Sequence, residues 1–194
     1  MSIFRKEFVH WDGSRYQIEI SCFFDANGDP VSGQPILIEA SKYYPESDQV
    51  SKVKATIGFD LRTDADGSKI IYVLVEVEGT KFEFPLANRF RPALDLVDSS
   101  VEALDSVLPD AFENILEGIP VPEPALGCVI KAGIISVVGQ VIRCNNQAVK
   151  GHHEADVHPQ RIRKILVCLR ENGVKVAKSA AFRTLKCWVT AGFS

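Results

Sequence analysis

The sequence lacks the features that mark several classes of protein. Its five cysteines include no close pair such as Cys-x-x-Cys, so a zinc site built from cysteine ligands is excluded. The first 20 residues hold no continuous apolar run and no small-residue cleavage site, so no secretory signal peptide is predicted. A glycine-rich phosphate loop, a Gly-x-Ser-x-Gly elbow and a His-Glu-x-x-His motif are also missing. These absences favour a cytoplasmic protein that is not an enzyme, with secretion by a dedicated route as the alternative location.

One apolar segment is long enough to need an explanation. Residues 125–142, ALGCVIKAGIISVVGQVI, are interrupted by Lys131, Gln140 and glycines, whereas a membrane-spanning helix needs about 20 predominantly apolar residues. The large apolar side chains recur with helical spacing, and the opposite side of the same helix carries small residues. We therefore predict a helix over 128–143 that is buried in the core, and no membrane span.

The cysteines are unevenly distributed along the chain. Cys22 stands alone in the first half, and the other four fall in the last third. We favour five reduced thiols that pack as small apolar side chains, as is usual in the cytoplasm. The alternative is two disulfides within the last third, with Cys22 left unpaired. The four clustered cysteines are Cys128, Cys144, Cys168 and Cys187.

The chain has a net charge of −3, but its two parts carry opposite charge. Residues 1–126 contain 11 Lys or Arg and 22 Asp or Glu, a net charge of −11. Residues 127–194 contain 11 Lys or Arg and 3 Asp or Glu, a net charge of +8. Such asymmetry indicates an anionic partner for the basic part, or neutralisation of one part by the other. The sign changes within GIPVPEPALG, residues 118–127, where three prolines favour an extended connection.

We predict an α+β fold in two domains on either side of this connection. Residues 1–118 are expected to form an acidic, β-rich domain that ends in amphipathic helices. Residues 119–127 form a proline-rich linker, and residues 128–194 form a basic helical domain.

The predicted sheet rests on alternating polar and apolar residues and on turn signals between them. Alternation with a period of two indicates strands with one buried face, and the segment over 54–86 contains three of them. After Arg91 the pattern becomes helical, and a capping box of Ser99 and Glu102 begins the acidic helices over 99–117. The turn signals are Asp12-Gly13, Asn27-Gly28, Asp66-Gly67 and Glu78-Gly79.

Two further helices are predicted in the basic domain. Pro159 suits the first turn of one helix, and Gly173 is expected to cap its C-terminal end. The last helix, residues 174–192, is amphipathic, and at about 100° per residue its basic side chains fall within an arc of about 140°. This basic stripe holds Lys175, Lys178, Arg183 and Lys186, and the opposite side holds Val174, Ala177, Ala181, Leu185 and Trp188.

The basic stripe is the basis of the functional prediction. We expect a non-enzymatic binding or regulatory protein that contacts an anionic partner, either a protein or a nucleic acid, and needs no cofactor. Without a partner, the acidic helices over 99–117 would neutralise the stripe within the chain. Residues 169–189 also resemble a helix-turn-helix whose last helix, carrying Lys186, would enter the major groove of DNA. The predicted binding residues are Arg161, Arg163, Lys164, Lys175, Lys178, Arg183 and Lys186.

Two other functions stay open from the sequence. A cationic helical segment behind an acidic domain is typical of a membrane-active, toxin-like or antimicrobial-like domain masked by its N-terminal part. The third possibility is an enzyme, in which Cys128 at a helix N-terminus is the nucleophile and His152 or His153 the base. A metal-dependent enzyme would need ligands from segment 151–158, which we interpret as a polar loop without a metal site. The candidate ligands there are His152, His153 and His158.

Overall fold

The computed structural model describes residues 1–63, 65–67, 69–86, 116–119, 121, 123–149 and 159–192. Within these residues, an antiparallel sheet of six strands is followed by three long helices, which confirms the α+β prediction. The strands are β1 (Ser2–Val9), β2 (Arg15–Cys22), β3 (Ile36–Tyr43), β4 (Val50–Thr63), β5 (Lys69–Val77) and β6 (Thr80–Pro85). The helices are α1 (Pro124–Val149), α2 (Pro159–Glu171) and α3 (Gly173–Thr190).

The described strands form one sheet in the order of the sequence, from β1 to β6. Gly13, with a φ of 88°, lies in the turn between β1 and β2, and Gly67, with a φ of 84°, lies between β4 and β5. Glu78 and Gly79, with φ of 46° and 82°, make the two-residue turn between β5 and β6. A positive φ at both positions gives a hairpin turn whose twist matches that of the strands. These three turn predictions are confirmed.

Strand β3 pairs with β2 and β4 but is not among the predicted strands. Ile36, Ile38 and Ala40 are buried on its inner face, and Glu39 lies on its outer face. The strand begins with three apolar residues in a row, because Leu37 separates the two isoleucines. Consecutive apolar residues hide the period of two that marks a half-buried strand.

The two faces of the sheet have different chemistry. The inner face is apolar and is packed against helices, with side chains such as Ile18, Ile38 and Ile57 fully buried. The outer face carries acids and bases on neighbouring strands, so its charges neutralise one another. The outer pairs are Arg5–Glu19, Lys52–Glu39, Lys54–Glu39, Arg62–Glu83 and Lys81–Glu76.

Helix α1 lies against the inner face of the sheet, where it contacts β2, β3 and β4. It extends beyond the predicted 128–143 helix at both ends, and its first residues lie inside the predicted linker. Its length and its hydropathy of 2.0 are also those of a helix that could cross a membrane, and 89% of that apolar window is buried inside the protein. The prediction of a buried core helix is confirmed.

The sheet and the helices share one hydrophobic core. Ile38 of β3, Ile134 of α1, Leu169 of α2 and Val176 of α3 belong to the same buried cluster. The acidic part before residues 119–127 and the basic part after them therefore both contribute side chains to this one core. A division into independently folding domains stays a prediction.

Helices α2 and α3 are separated by Asn172 alone. Gly173 is the first residue of α3, so its predicted role as a C-terminal cap is wrong. A Cβ atom there would clash with the ring of Phe4 in β1, so glycine is needed for close packing. Helix α3 then continues to Thr190 without the turn after Ala181 that a helix-turn-helix requires, and that resemblance is overturned. The physical reason is that no glycine or proline follows Ala181 to end the helix before its last turn.

Two disulfide bonds join the helices, Cys128–Cys187 and Cys144–Cys168. The favoured prediction of five reduced thiols is therefore wrong, and the alternative with Cys22 as a free, buried thiol is the one observed. The first bond ties the beginning of α1 to the end of α3, and the second ties α1 to α2. Packing of α2 and α3 against α1 brings each pair of Cα atoms to 5.8 Å, within bonding range.

Gly133 of α1 lies directly over the sheet. A Cβ atom there would overlap with Cδ1 of Ile18 and lie 3.0 Å from Cγ2 of Ile38. We expect Gly133→Ala to lower the free energy of unfolding by about 1–2 kcal/mol, because overpacking outweighs the better helix propensity of alanine. Urea denaturation measures the loss. Ile18→Val removes the Cδ1 methyl group, so the double variant should lose less than the sum of the single losses; additive losses would contradict the contact.

Candidate binding surface

The outward side of α3 is a continuous stripe of lysines and apolar side chains. At about 100° per residue, its exposed positions from 174 to 189 fall within an arc of about 120°. We call this stripe the α3 surface. Its members are Val174, Lys175, Lys178, Phe182, Leu185, Lys186 and Val189.

The apolar members of the α3 surface are unusually exposed. Phe182 is 57% exposed and Leu185 41%, while Val174 and Val189 are 61% and 67% exposed. A single exposed apolar side chain is ordinary on a protein surface, but these four recur along one side of one helix. A contiguous apolar patch edged by charge is typical of an interaction site.

The three lysines of the α3 surface have no ion pair with any described residue. The lysines on the outer face of the sheet differ, because Lys52, Lys54 and Lys81 each lie 3.1 to 3.7 Å from a glutamate. The α3 surface therefore carries positive charge that the described part of the chain does not neutralise.

The side of α3 that packs inward is rich in small side chains. Ala177, Ala180, Ala181 and Thr184 are buried against neighbouring elements, with Thr184 donating to the Ala180 carbonyl oxygen. Small side chains let two backbones approach closely, and α3 makes most of its contacts with α1. The rotation of α3 about its axis thus follows from close packing.

This rotation corrects the predicted orientation of the helix. The sequence pattern predicts Val174 and Leu185 on the core side and Arg183 on the basic side. The structure exposes the first two and leaves Arg183 only 9% exposed. Periodicity locates the two sides of a helix from polarity alone, whereas the disulfide at Cys187 and the buried Trp188 decide which side turns inward.

Trp11 lies beside the C-terminal end of α3, in the turn between β1 and β2. Its side chain is among the exposed large apolar ones, and its ring centroid is 6.1 Å from that of the buried Trp188. The turn is braced locally: the Ser14 amide donates to Asp12 Oδ1 at 2.8 Å, and the Asp12 amide donates to His10 Nδ1 at 3.3 Å. The exposed indole is therefore held beside the last turn of α3.

The other predicted binding residues are placed differently. Arg161 is only 8% exposed, and Arg163 donates from Nε to Asp29 Oδ1 at 2.6 Å. Lys164 is exposed on α2 and makes no ion pair with a described residue. Two of the seven predicted cations are buried and one is paired, which leaves four exposed lysines. Three of these four lie together on the α3 surface, which is therefore the candidate site.

A partly buried polar cluster that no sequence motif indicates lies where β3 meets the beginning of α1. The Lys42 ammonium donates to the Glu123 carboxylate, and the Tyr44 hydroxyl donates to the same carboxylate at 3.1 Å. Burial alone would lower the pKa of Lys42, but Glu123 and Tyr16 outweigh it and raise the pKa to about 12. Burial also raises the pKa of Tyr16 to about 12. Both groups keep their protons at neutral pH, so neither Lys42 nor Tyr16 is available as a base, and the cluster joins the beginning of α1 to the sheet.

The cysteine-dependent enzyme hypothesis requires a free thiol at Cys128. Cys128 is bonded to Cys187, so it has no thiol to act as a nucleophile, and that hypothesis is overturned. The candidate bases and metal ligands, His152, His153 and His158, lie outside the described residues, as do residues 99–115 of the acidic segment. Among the residues that are described, no group of three or more His, Cys, Asp or Glu side chains is arranged to hold a metal ion.

A cavity of about 870 Å³ lies between the β2–β3 connection, the strands β4 to β6 and α2. The apolar part of its lining includes Phe59, Phe82 and Leu166. The charged side chains of its described lining are already paired with one another or with a neighbour: Arg62 with Glu83 and Asp60, Arg163 with Asp29, and Lys81 with Glu76. The part of the lining that the structure describes thus presents no unpaired charge that would select a ligand.

Comparison of the chain with protein-family models, with curated proteins and with solved structures found no match.

Proposed function

We propose that this chain is a non-enzymatic binding protein that contacts an anionic partner through the α3 surface. The observation that supports the proposal is the positive charge of Lys175, Lys178 and Lys186, which has no ion pair within the described residues. A partner can engage these lysines without breaking an ion pair to any residue that the structure describes. Their summed field also attracts an anionic partner from a distance and speeds its encounter.

The helix that carries these lysines is held rigidly. Trp188 is fully buried and donates from Nε1 to the Ala125 carbonyl oxygen at 3.0 Å. The preceding residue, Cys187, forms a disulfide with Cys128. Val176 and Ala180 are buried on the same side. A surface held in place before binding loses little conformational entropy when the partner arrives.

The proposal is tested with immobilised heparin, a sulfated polyanion. We expect the full chain to be retained at low salt although its net charge is −3, because the α3 surface is locally cationic. The variant Lys175→Gln/Lys178→Gln/Lys186→Gln should lose most of this retention. In this variant the slope of log affinity against log salt concentration should be smaller in magnitude by about 2–3, since each lysine that neutralises an anion releases about one counterion.

The outer face of the sheet provides a control of equal charge. Lys52→Gln/Lys54→Gln/Lys81→Gln removes the same three positive charges from lysines that pair with glutamates, so its retention should resemble that of the wild type. Equal losses in the two triple variants would show that net charge alone governs retention, and would overturn the proposal. So would a wild-type chain that is not retained at low salt.

A further inference from the structure

We infer that the anionic partner is a lipid surface, on which the α3 surface and Trp11 lie together. This inference rests on the proposed function and adds the class of partner. Nucleic acids are held largely through cations and hydrogen bonds to phosphate, which leaves four exposed apolar side chains without a role. A lipid surface offers anionic headgroups above hydrocarbon, and so suits both kinds of side chain.

The order of side chains around α3 fits this interface. At about 100° per residue, Val174, Leu185, Val189 and Phe182 cover about 80° of arc, and Lys175 and Lys186 follow at one edge. Lys178 stands among the apolar residues, and its long aliphatic stem lets the ammonium reach headgroups while its neighbours enter the acyl boundary. A convex helix side of this kind can lie on a surface but encloses no small ligand.

Trp11 supplies an anchor from a second element. It belongs to the turn between β1 and β2, and its ring lies 6.1 Å from that of Trp188, the residue before Val189 in the sequence of α3. Tryptophan concentrates at membrane interfaces, because its ring is apolar and its indole N–H is polar. A helix and a separate turn that touch the same surface fix the orientation of the molecule.

Charge complementarity selects an anionic lipid. Residues 127–194 carry +8 and residues 1–126 carry −11, so an anionic surface attracts the α3 surface and repels the acidic remainder. The two disulfides hold α3 and α2 against α1. Docking therefore uses the folded chain, with α1 still buried in its core.

Tryptophan fluorescence of the full chain tests the inference. The chain has two tryptophans, of which Trp188 is buried and Trp11 is 53% exposed, so a change on binding reports on Trp11. Vesicles of about three parts phosphatidylcholine to one part phosphatidylglycerol should shift the emission to shorter wavelength and carry the protein in flotation. Phosphatidylcholine vesicles should do neither. Trp11→Phe should still float with the anionic vesicles but should show no shift.

Two variants separate the inference from the proposed function. Phe182→Ser/Leu185→Ser keeps every lysine, so its loss of retention on heparin should be smaller than that of the triple lysine variant, whereas it should bind the anionic vesicles more weakly than the wild type, on the order of tenfold. The triple lysine variant should lose both activities, with vesicle binding reduced on the order of 100-fold. Val31→Ser/Val50→Ser is the matched control, because these valines are 39% and 42% exposed in the β2–β3 connection and in β4, and it should bind like the wild type.

Several outcomes would overturn the lipid inference. If the wild type is retained on heparin but does not bind the anionic vesicles, the lipid inference is overturned and the proposed function stands. If the wild type fails in both assays, both the lipid inference and the proposed function are overturned. Equal vesicle binding by the wild type and by Phe182→Ser/Leu185→Ser would show that charge alone is used. Tighter binding to a DNA duplex or to polyglutamate than to the vesicles, at the same salt, would assign a different partner.

Discussion

The Cys128→Ala/Cys187→Ala variant is expected to lose about 4 kcal/mol of the free energy of unfolding of the oxidised wild type. The bond spans 59 residues, and a cross-link restricts the unfolded chain more strongly as the closed loop grows. It joins the beginning of α1 to the end of α3, so the α3 surface also loses one of its fixed points. Urea denaturation without reductant measures the loss, which is a large part of the stability of a typical domain.

The remaining cysteines provide the comparison. Cys144→Ala/Cys168→Ala opens a bond across 24 residues and should lose slightly less, about 3 kcal/mol. Cys22→Ala breaks no disulfide, and because Cys22 is buried the variant should lower the free energy of unfolding by about 1 kcal/mol. If neither double variant loses more than Cys22→Ala does, the bonds are not stabilising the fold.

The bonds themselves can be counted by alkylation. Iodoacetamide added to the urea-unfolded chain without reductant should modify Cys22 alone, and five modified cysteines would show that the thiols are reduced. Disulfides persist in oxidising compartments and are uncommon in the cytoplasm. The same labelling on protein taken from its native cells would therefore test the predicted cytoplasmic location.

Trp188→Ala is expected to destabilise the protein by about 4 kcal/mol, because it removes a large, fully buried side chain and leaves a cavity. The ring contacts Phe8, Tyr16 and His10 at centroid distances of 5.4, 4.8 and 4.8 Å. Its indole N–H donates to the Ala125 carbonyl oxygen, which the variant leaves without this donor. Thermal and urea denaturation measure the loss.

The second tryptophan of the chain is the matched control. Trp11→Ala removes the same side chain from a position that is 53% exposed, and should lose about 1 kcal/mol or less. Trp188→Phe keeps most of the packed volume, so its loss in the free energy of unfolding should lie between the losses of the two alanine variants. Equal losses at positions 11 and 188 would contradict the central place of Trp188 between α3 and the sheet.

The sequence by itself determined the features that depend on neighbouring residues. The turns at Gly13, Gly67 and Gly79 were predictable because glycine tolerates a positive φ. The buried character of α1 followed from its apolar run, and the α+β class followed from the change of period along the chain. Each of these depends on contacts within a few residues, which a short stretch of sequence contains.

The candidate site was predictable only in part. The sequence located the basic helix and its three exposed lysines, but it placed Arg183 among them and Val174 and Leu185 in the core. The inward side of α3 is defined by the small residues that fit against α1 and by the bond at Cys187. The exposed apolar residues therefore became visible only when α3 was seen beside its neighbours.

Only the tertiary structure decided the interactions between distant parts of the chain. Cysteine spacing could not distinguish reduced thiols from Cys128–Cys187 and Cys144–Cys168, because a disulfide needs Cα atoms about 6 Å apart in space, whatever the spacing in sequence. The Lys42–Glu123 pair joins residues 81 positions apart, and no local pattern connects them. Such contacts depend on how completed elements pack together, which the periodicity of each element leaves undetermined.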